Sequence, residues 1–420
     1  MANSLLTTSK ITFECLDVLE NSLGFAKAVN RDYDDQFAVN GAKIGSTVNV
    51  RKPPRYQVGS GPVIDPQATI DTYVPVTLTE QANVAMAFTS ADLALNVDDF
   101  RERIIVPAMA ALANRIDYLG TSTMYKQVAN MVGTAGQLTG GTTTSSQALN
   151  AILAAGQKLD ENATPIDDMR AAIISPATNT GLVQAQASLF NPAGTISRQF
   201  TKGALGDGVL GFNFARDQNI VAHTYGTSTG GTTGASAQGA SNTVQSATDT
   251  AFTLTISALT GTITAGTTIT LGNVYAVNPQ SRVSTGQLQN FVVTADVANG
   301  ATSMSIFPYP VFSGPFQNVT SSTGSIAAGA TIALVGSPSA STAYPMNLMF
   351  HKNAFTLACA DLPLPQGNGE SSRAASKAAG LSVRLVKGWY DARTDQHISR
   401  IDVLFGWKAL YPELACKLQG

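Results

Sequence analysis

Six consecutive residues, Gly206-Asp207-Gly208-Val209-Leu210-Gly211, match the GxGxxG pattern of a phosphate cradle. That chemistry needs a buried strand before the loop and a helix after it, so that backbone N–H groups converge on the pyrophosphate. Here the polar run SRQFTKGAL precedes the loop, and FNFARDQN, which has no helical pattern, comes after it. A chain with 37 glycines produces such a match by chance. The three histidines, His223, His351 and His397, stand in separate segments. A metal site would want two on one element, or a Cys/His cluster. There is no GxSxG elbow to suggest a serine nucleophile. The histidines therefore read as buried hydrogen-bonded or surface residues. Cys15, Cys359 and Cys416 have no CxxC spacing, which argues against a disulfide framework and a zinc site. Cys359 lies in an apolar run and reads as core.

Charged clusters are equally sparse. Asp98, Asp99 and Glu102 could bind a cation, but a helix start explains them better, since its dipole favours negative charge. Asp32, Asp34 and Asp35 lack the Gly and Glu of a calcium loop. Arg51, Lys52 and Arg55, beside Tyr56, could touch nucleic acid, but three charges without interleaved aromatics are a weak footprint. They read instead as inter-subunit contacts that meet an acidic patch on a neighbour. Catalytic residues, cofactors and metals are not expected.

The elements that carry these residues look like projecting parts. Residues 1–40 form an N-terminal arm, with Ile11, Cys15, Val18, Leu19 and Phe25 on one helical face. A helix this short needs a partner, either the chain's own body or another subunit. Residues 41–90 read as an extended hairpin with a Pro/Gly-rich tip, RKPPRYQVGSGPVIDPQ. Residues 91–134 hold the longest helical pattern, from Asn96 to Met131. Phe100, Ile104, Ala108, Leu112 and Ile116 recur every four residues, widened by Ile105, Met109 and Leu119. A helix over 98–130 would be about 50 Å long. Pro107 interrupts it, and either kinks the rod or marks the start of a second, straighter segment.

Downstream, SSQALNAILAAGQKLDEN reads as a helix, Ala171–Ile174 as a buried strand, and PATNTGLVQAQASLF as a helix entered through Pro176. At Gly226 the composition shifts to GTSTGGTTGASAQGASNTVQS, a low-complexity linker by eye. From there to about Tyr344 the pattern is almost pure β, a small barrel or sandwich. A second small-residue stretch, SPSASTAYP, closes it and suggests an insertion at 226–345. The host resumes as strand-like segments at 346–379 and 380–420. There Val383, Leu385, Val386, Ile398, Ile401, Val403 and Phe405 would pack beneath the long helix.

Composition agrees with a large core and a weakly charged surface. Of 420 residues 44% are hydrophobic and only 13% charged, with net charge −2. No global field draws the chain to nucleic acid or to an anionic membrane. The N-terminus lacks a secretory pattern, and no apolar run approaches ~18 residues, so folding in a reducing cytosol is expected.

NIVAHTYGT (219–227) resembles a segment of the major capsid proteins of short-tailed phages of the Salmonella-phage gene-5 coat protein type. FHKNAFTLACADLPLP (350–365) and GLSVRLVKGWYDARTDQHISRIDVLFGWKALYPELACKL (380–418) are similar to the segments downstream of the inserted domain in those coats. The order of arm, hairpin, long helix, inserted β domain and closing strands fits as well. The resemblance implies an α+β, Hong Kong 97-like capsid fold with an inserted all-β barrel. The long helix would be its spine, and the hairpin a loop overlapping the next subunit. The peripheral domain would hold the spine and 380–420, and the apical domain 135–225 and 346–379. It further implies pentamers and hexamers built on a scaffolding protein, a portal at one vertex, and a shell around double-stranded DNA without sequence-specific binding. A decoration protein is compatible with it. A kink at Pro107 would then help one subunit fit shells of differing curvature. Two other readings compete. A tail, fibre or adhesion protein with a carbohydrate-binding β module leaves the spine helix unexplained. A hydrolase would gather His223 or His397 with an acid and a nucleophile.

Overall fold

The structure, a computed structural model, describes residues 8–31, 47–56, 58, 66, 69, 72–89, 105–138, 145–186, 210–238, 251–365, 371–376, 380–391, 393 and 396–420. In chain order these hold α1 (Thr8–Ser22), α2 (Phe25–Ala28), β1 (Thr47–Lys52), β2 (Thr72–Thr77), β3 (Glu80–Thr89), α3 (Val106–Met124) and β4 (Met131–Val132). Then come α4 (Ser145–Glu161), β5 (Arg170–Ile174), α5 (Pro176–Gln186), β6 (Asn213–Arg216) and β7 (Ala222–Thr224). A β-rich stretch is next, with β8 (Gly230–Thr232), β9 (Phe252–Thr255), β10 (Thr268–Val277), β11 (Ser284–Val293), β12 (Ser303–Phe307), β13 (Val319–Thr320) and β14 (Thr331–Leu334). The chain closes with β15 (Ala343–His351), β16 (Phe355–Ala360), β17 (Ser371–Ser376), β18 (Leu381–Asp391), β19 (Gln396–Ala409) and β20 (Ala415–Gln419). It divides into two compact units, Met1–Asn49 with Pro75–Gly120 and Phe355–Lys408, and Val50–Val74 with Thr121–Ala354 and Ala409–Gly420.

The first unit is built on a five-stranded sheet ordered β16-β19-β18-β17, with β3 also paired to β19. Alternation decides the register. Leu385 faces Ile401 across β18 and β19, and Ile401 faces Val84 of β3. Val383, Leu385, Ile401, Val403 and Phe405 are buried, whereas Ile398 is exposed. The arm helix α1 packs on β17 and β18 of its own chain. It turns Cys15, Leu16, Val18 and Leu19 inward, and Thr12 Oγ1 donates to Ser372 Oγ at 3.0 Å.

Helix α3 buries Ala108, Met109, Leu112, Ala113 and Ile116, the stripe expected from the spacing. Phe25 stacks on Trp407 at 5.1 Å, and Trp407 Nε1 donates to the Ile116 carbonyl at 3.2 Å. Gly120 lets the indole approach, because a Cβ there would meet the ring at 2.6 Å. Pro107 stands second in this helix, in the first turn, where its missing N–H has no intrahelical partner to lose. The helix ends at Met124, short of Met131. Tyr125–Gln127 form a tight turn, and Met131–Val132 pair in parallel with Lys417–Leu418. Sheet pairing overrides helix propensity there. Phe100 and Ile104 lie outside the described residues.

The second arm of the hairpin expected over 41–90, TIDTYVPVTLTEQANVAMAF (69–88), holds two strands with different partners. β2 forms a two-stranded sheet with β1, and β3 joins β19. Gly406 allows the turn between them, since a Cβ there would meet the Thr77 carbonyl at 2.1 Å. Residues 355–376, expected beside 346–354 in an apical domain, instead supply β16 and β17 to the first unit's sheet.

The second unit holds a six-stranded sheet ordered β4-β20-β15-β5-β6, with β7 paired to β15. Leu348 at its centre faces Lys417 on one side and Ile173 on the other. α4 and α5 cover one face through Ala148, Ile152, Leu159 and Leu182, packed with Ile174, Met349, Cys416 and Leu418. β20 is buried along its whole length, so its alternate residues, among them Lys417, fill the opposite face.

Between β7 and β15 the chain makes a barrel ordered β8-β14-β10-β11-β12-β9, with β13 added to β10. A bridge between Thr233 and Ile256, with Gly234 N–H to the Thr255 carbonyl at 3.0 Å, closes the ring. Leu254, Ile269, Leu271, Phe291, Met304 and Ile332 fill it. Entry and exit lie side by side, Thr224 facing Ala343. The described part of the small-residue run after Gly226 is barrel wall, not linker: Gly230–Thr232 form β8, and Thr233 and Gln238 make bridges. At Gly230 a Cβ would meet the Ile332 carbonyl at 2.4 Å, so glycine there serves close approach.

Candidate assembly surface and buried junction

The cations singled out in the hairpin sit at the loop end of β1 and just beyond it, and two of them contact their own chain. β1 carries Arg51 and Lys52, and Pro53-Pro54 turn the backbone out of the strand. Arg55 Nη2 lies 3.2 Å from Glu413 Oε1. Lys52 Nζ stands 5.5 Å above the Tyr411 ring. Tyr56 is 55% exposed; its hydroxyl lies 3.0 Å from Thr69 Oγ1, and its carbonyl accepts from Arg282 Nη2 at 3.0 Å. Burial and the neighbouring Arg55 charge lower the Arg282 pKa. Arg51 is exposed. Between these groups lies a cleft of about 250 Å³, lined by Lys52, Arg55, Asn130, Asn162, Asn318 and Glu413 with Phe307 and Phe316.

A second polar cluster is sealed where the barrel meets the six-stranded sheet. His223, on β7, is 3% exposed. Its Nδ1 lies 3.1 Å from the Tyr125 hydroxyl and its Nε2 3.0 Å from Thr267 Oγ1, both on other elements. Burial, with the Lys417 and Lys126 charges, pushes its pKa down to about 4, against the pull of Asp296. Lys417 is fully buried and donates from Nζ to the Gly266 carbonyl at 2.9 Å. Burial lowers its pKa to about 7. Asn290 Nδ2 donates to the Met131 carbonyl at 3.1 Å and ties a barrel strand to the same place.

The remaining sequence candidates are scattered. His351 pairs with Asp167 at 3.1 Å. Burial works against the Asp167 charge, but the His351 hydrogen bond, the Met169 N–H and the charges of His351 and Arg170 prevail and lower its pKa. His223 and His351 lie seven positions apart in register, because His223 faces Tyr344 across β7 and β15. The side chain of His397, on β19, is not described. Cys15, Cys359 and Cys416 are free and buried. Burial pushes the Cys15 and Cys416 thiols up to about 12. Gly206–Val209 lie outside the described residues, and the element after Gly211 is β6, a strand and not a helix. Asp98, Asp99, Glu102, Asp32, Asp34 and Asp35 also lie outside. Among the described residues no group of three His, Cys, Asp or Glu could hold a metal ion, and no helix is long and apolar enough to cross a membrane.

Three polar centres escaped the sequence reading. Asp117, buried on α3, accepts the Gly24 and Ala26 N–H groups at 2.7 and 2.9 Å. Asp402, fully buried, takes Arg384 at 2.6 Å and Arg400. Lys417 is the third. Each sits in a largely apolar run, LANRIDYLG, SRIDVLFG and LACKLQ, and a charge set among apolar neighbours was the available signal.

No curated protein matches the chain. Among solved structures, one titled "Mycobacterium phage Che8" is similar at 11% identity and TM-score 0.47, covering 94% of this chain and 89% of that one. "Capsid structure of the Cyanophage P-SCSP1u" is similar at 12% identity and TM-score 0.42, covering 89% and 83%. A virus-like particle from Pyrococcus furiosus is similar at 9% identity and TM-score 0.42, covering 97% of both chains. The family described as P22 coat protein, gene protein 5, matches residues 1–420, and the chain belongs to that family.

Proposed function

We propose that this major capsid protein assembles on a scaffolding protein into pentamers and hexamers of a closed icosahedral shell. The shell leaves one vertex for a portal and encloses double-stranded DNA without reading its sequence. The observation that carries this reading is the family match over the whole chain. The subunit is a virion component and its role is structural. Its chemistry agrees: the buried His223 and Lys417 are hydrogen-bonded within the chain, and the cysteines are sealed. The near-neutral charge suits a container that must not bind its contents tightly. Individual contacts between copies can be weak, because each subunit makes several and multivalency compounds them. Exposed Arg51, with the adjoining Lys52, Arg55 and Tyr56, is the surface that meets an acidic patch of the next copy. Folding takes place in the host cytoplasm before assembly.

The test is co-expression with the cognate scaffolding protein and electron microscopy of the product. Closed shells of uniform size are expected. A chain that remains monomeric across scaffold ratios and salt conditions would overturn the reading.

A further inference from the structure

The turn at Thr264–Thr267 reaches out of the barrel and ends in a socket of the six-stranded sheet. Gly266 is its tip, with φ +101°. A Cβ at Gly266 would lie 2.9 Å from Tyr125 Cε2, 3.1 Å from Lys126 Cγ and 3.5 Å from His223 Cε1, so backbone alone fits. Its carbonyl receives Lys417 Nζ at 2.9 Å. Its flanks bond to the histidine: Thr267 Oγ1 lies 3.0 Å and Thr264 Oγ1 3.3 Å from His223 Nε2. Thr264 Oγ1 also donates to the Thr224 carbonyl at 2.8 Å. Thus two basic groups from two different strands hold one turn, out of contact with water.

We infer that the Gly266 turn, seated between His223 and Lys417, is a proton-operated latch: it closes the barrel onto the sheet when both groups are neutral and slackens as they take up protons. The charges around it decide the direction. Lys126 faces His223 and adds a further positive charge. Tyr125, Tyr225 and Tyr344 supply neutral hydroxyls. Cys416 neighbours Lys417, and Lys158 faces that thiol. Among the described residues the carboxylate that faces His223 is Asp296, whose Oδ1 is engaged by the Ala265 N–H at 2.7 Å. Among the described residues no salt bridge reaches Lys417. Protonating both groups therefore crowds two buried cations beside Lys126, opposed by one carboxylate. Desolvation and like-charge repulsion both act to open such a site.

The two groups act at different pH. Lys417 takes its proton in the closed state only as pH falls through about 7, and His223 only near pH 4. In an opened, hydrated junction each would bind its proton at a higher pH, so acid favours the open form.

Hydrogen exchange of the full chain, corrected for intrinsic rates and read from peptides spanning 261–268 and 293–298, tests this. Between pH 8.5 and pH 5 the protection of these peptides should fall by about tenfold or more, as one or two pKa units of linkage require. Peptides from the five-stranded sheet should hold theirs. Lys417→Met should remove the loss near neutrality, and His223→Gln the further loss in acid. Equal protection across the range, or an undiminished loss in Lys417→Met, overturns the latch. Should that variant not fold, the wild-type chain with 13C-labelled lysines decides: one lysine titrating near neutrality is expected, and a set that all titrates near pH 10 overturns it.

Discussion

Two residues show how much of this fold rests on single atoms. At Gly226 a Cβ would stand 2.0 Å from the Thr262 carbonyl, which belongs to the barrel backbone and cannot yield as a side chain would. Gly226→Ala is therefore expected to destabilise the chain by about 1–3 kcal/mol, the usual cost of overpacking. Denaturant melts of subunits would read this as a lower midpoint with an unchanged slope; an unchanged midpoint would show that the strands part at no cost. Asp117 is the second case. Its two carboxylate oxygens each take one backbone N–H, from Gly24 and Ala26, at the start of α2. Asn supplies only one carbonyl oxygen and no charge. Asp117→Asn should cost about 1–2 kcal/mol, the scale of a lost capping interaction, and Asp117→Ala more, since both donors then stay buried without it. A thermal melt of each variant would check the order. Neither role can be read from residue type alone, because both depend on what tertiary structure brings alongside.

At the scale of elements, local periodicity made part of the fold legible. The α3 stripe through Ala108, Leu112 and Ile116, the buried strand at 171–174 and the helix after Pro176 all form as their spacing requires. Partnering was not legible. Nothing in TIDTYVPVTLTEQANVAMAF says that its halves join different sheets, because alternation fixes a strand's faces but not its neighbour. The Gly/Ser/Thr run after Gly226 misled for a related reason: glycine marks a flexible linker and a close-packed strand alike. Pro107 is a case where position decides. In the first turn it costs no hydrogen bond, so Pro107→Ala should lower stability by at most about 1 kcal/mol, through the entropy of the unfolded chain. Shells of this variant should close normally; a failure to close would restore the reading of Pro107 as a working kink. The pH dependence of the second unit belongs to this scale too. A His223 pKa of about 4 in the folded chain, against 6.5 unfolded, means the unfolded chain binds the proton first. Stability should then be flat above pH 6.5 on this account and decline as pH falls towards 4, by on the order of 3 kcal/mol in total. His223→Gln should flatten that decline in a pH series of denaturant melts.

For the whole molecule, charge is scarce, and the exposed cations are where electrostatic contacts between copies are to be sought. Charged residues are 13% of the chain, and the described ion pairs, Arg170–Asp160, Arg384–Asp402 and Arg55–Glu413 among them, are internal. Arg51 differs in being an exposed cation near the loop end of β1. Its substitution should separate subunit stability from assembly. Arg51→Glu breaks no ion pair among the described residues, so the melting temperature of the subunit should stay unchanged. A contact worth only about 0.5 kcal/mol, typical of an exposed ion pair, is repeated at each copy around a closed shell, and its reversal to like charge is repeated with it. Assembly followed by light scattering should therefore slow or stop in Arg51→Glu, and added salt should slow the wild type by screening the same attraction. Arg55→Glu provides the contrast. It also breaks the Arg55–Glu413 pair and sets two carboxylates together at the mouth of the cleft, so there the subunit's melting temperature should fall along with the assembly rate. If Arg51→Glu assembled at the wild-type rate, the surface that joins copies would have to lie elsewhere on the chain.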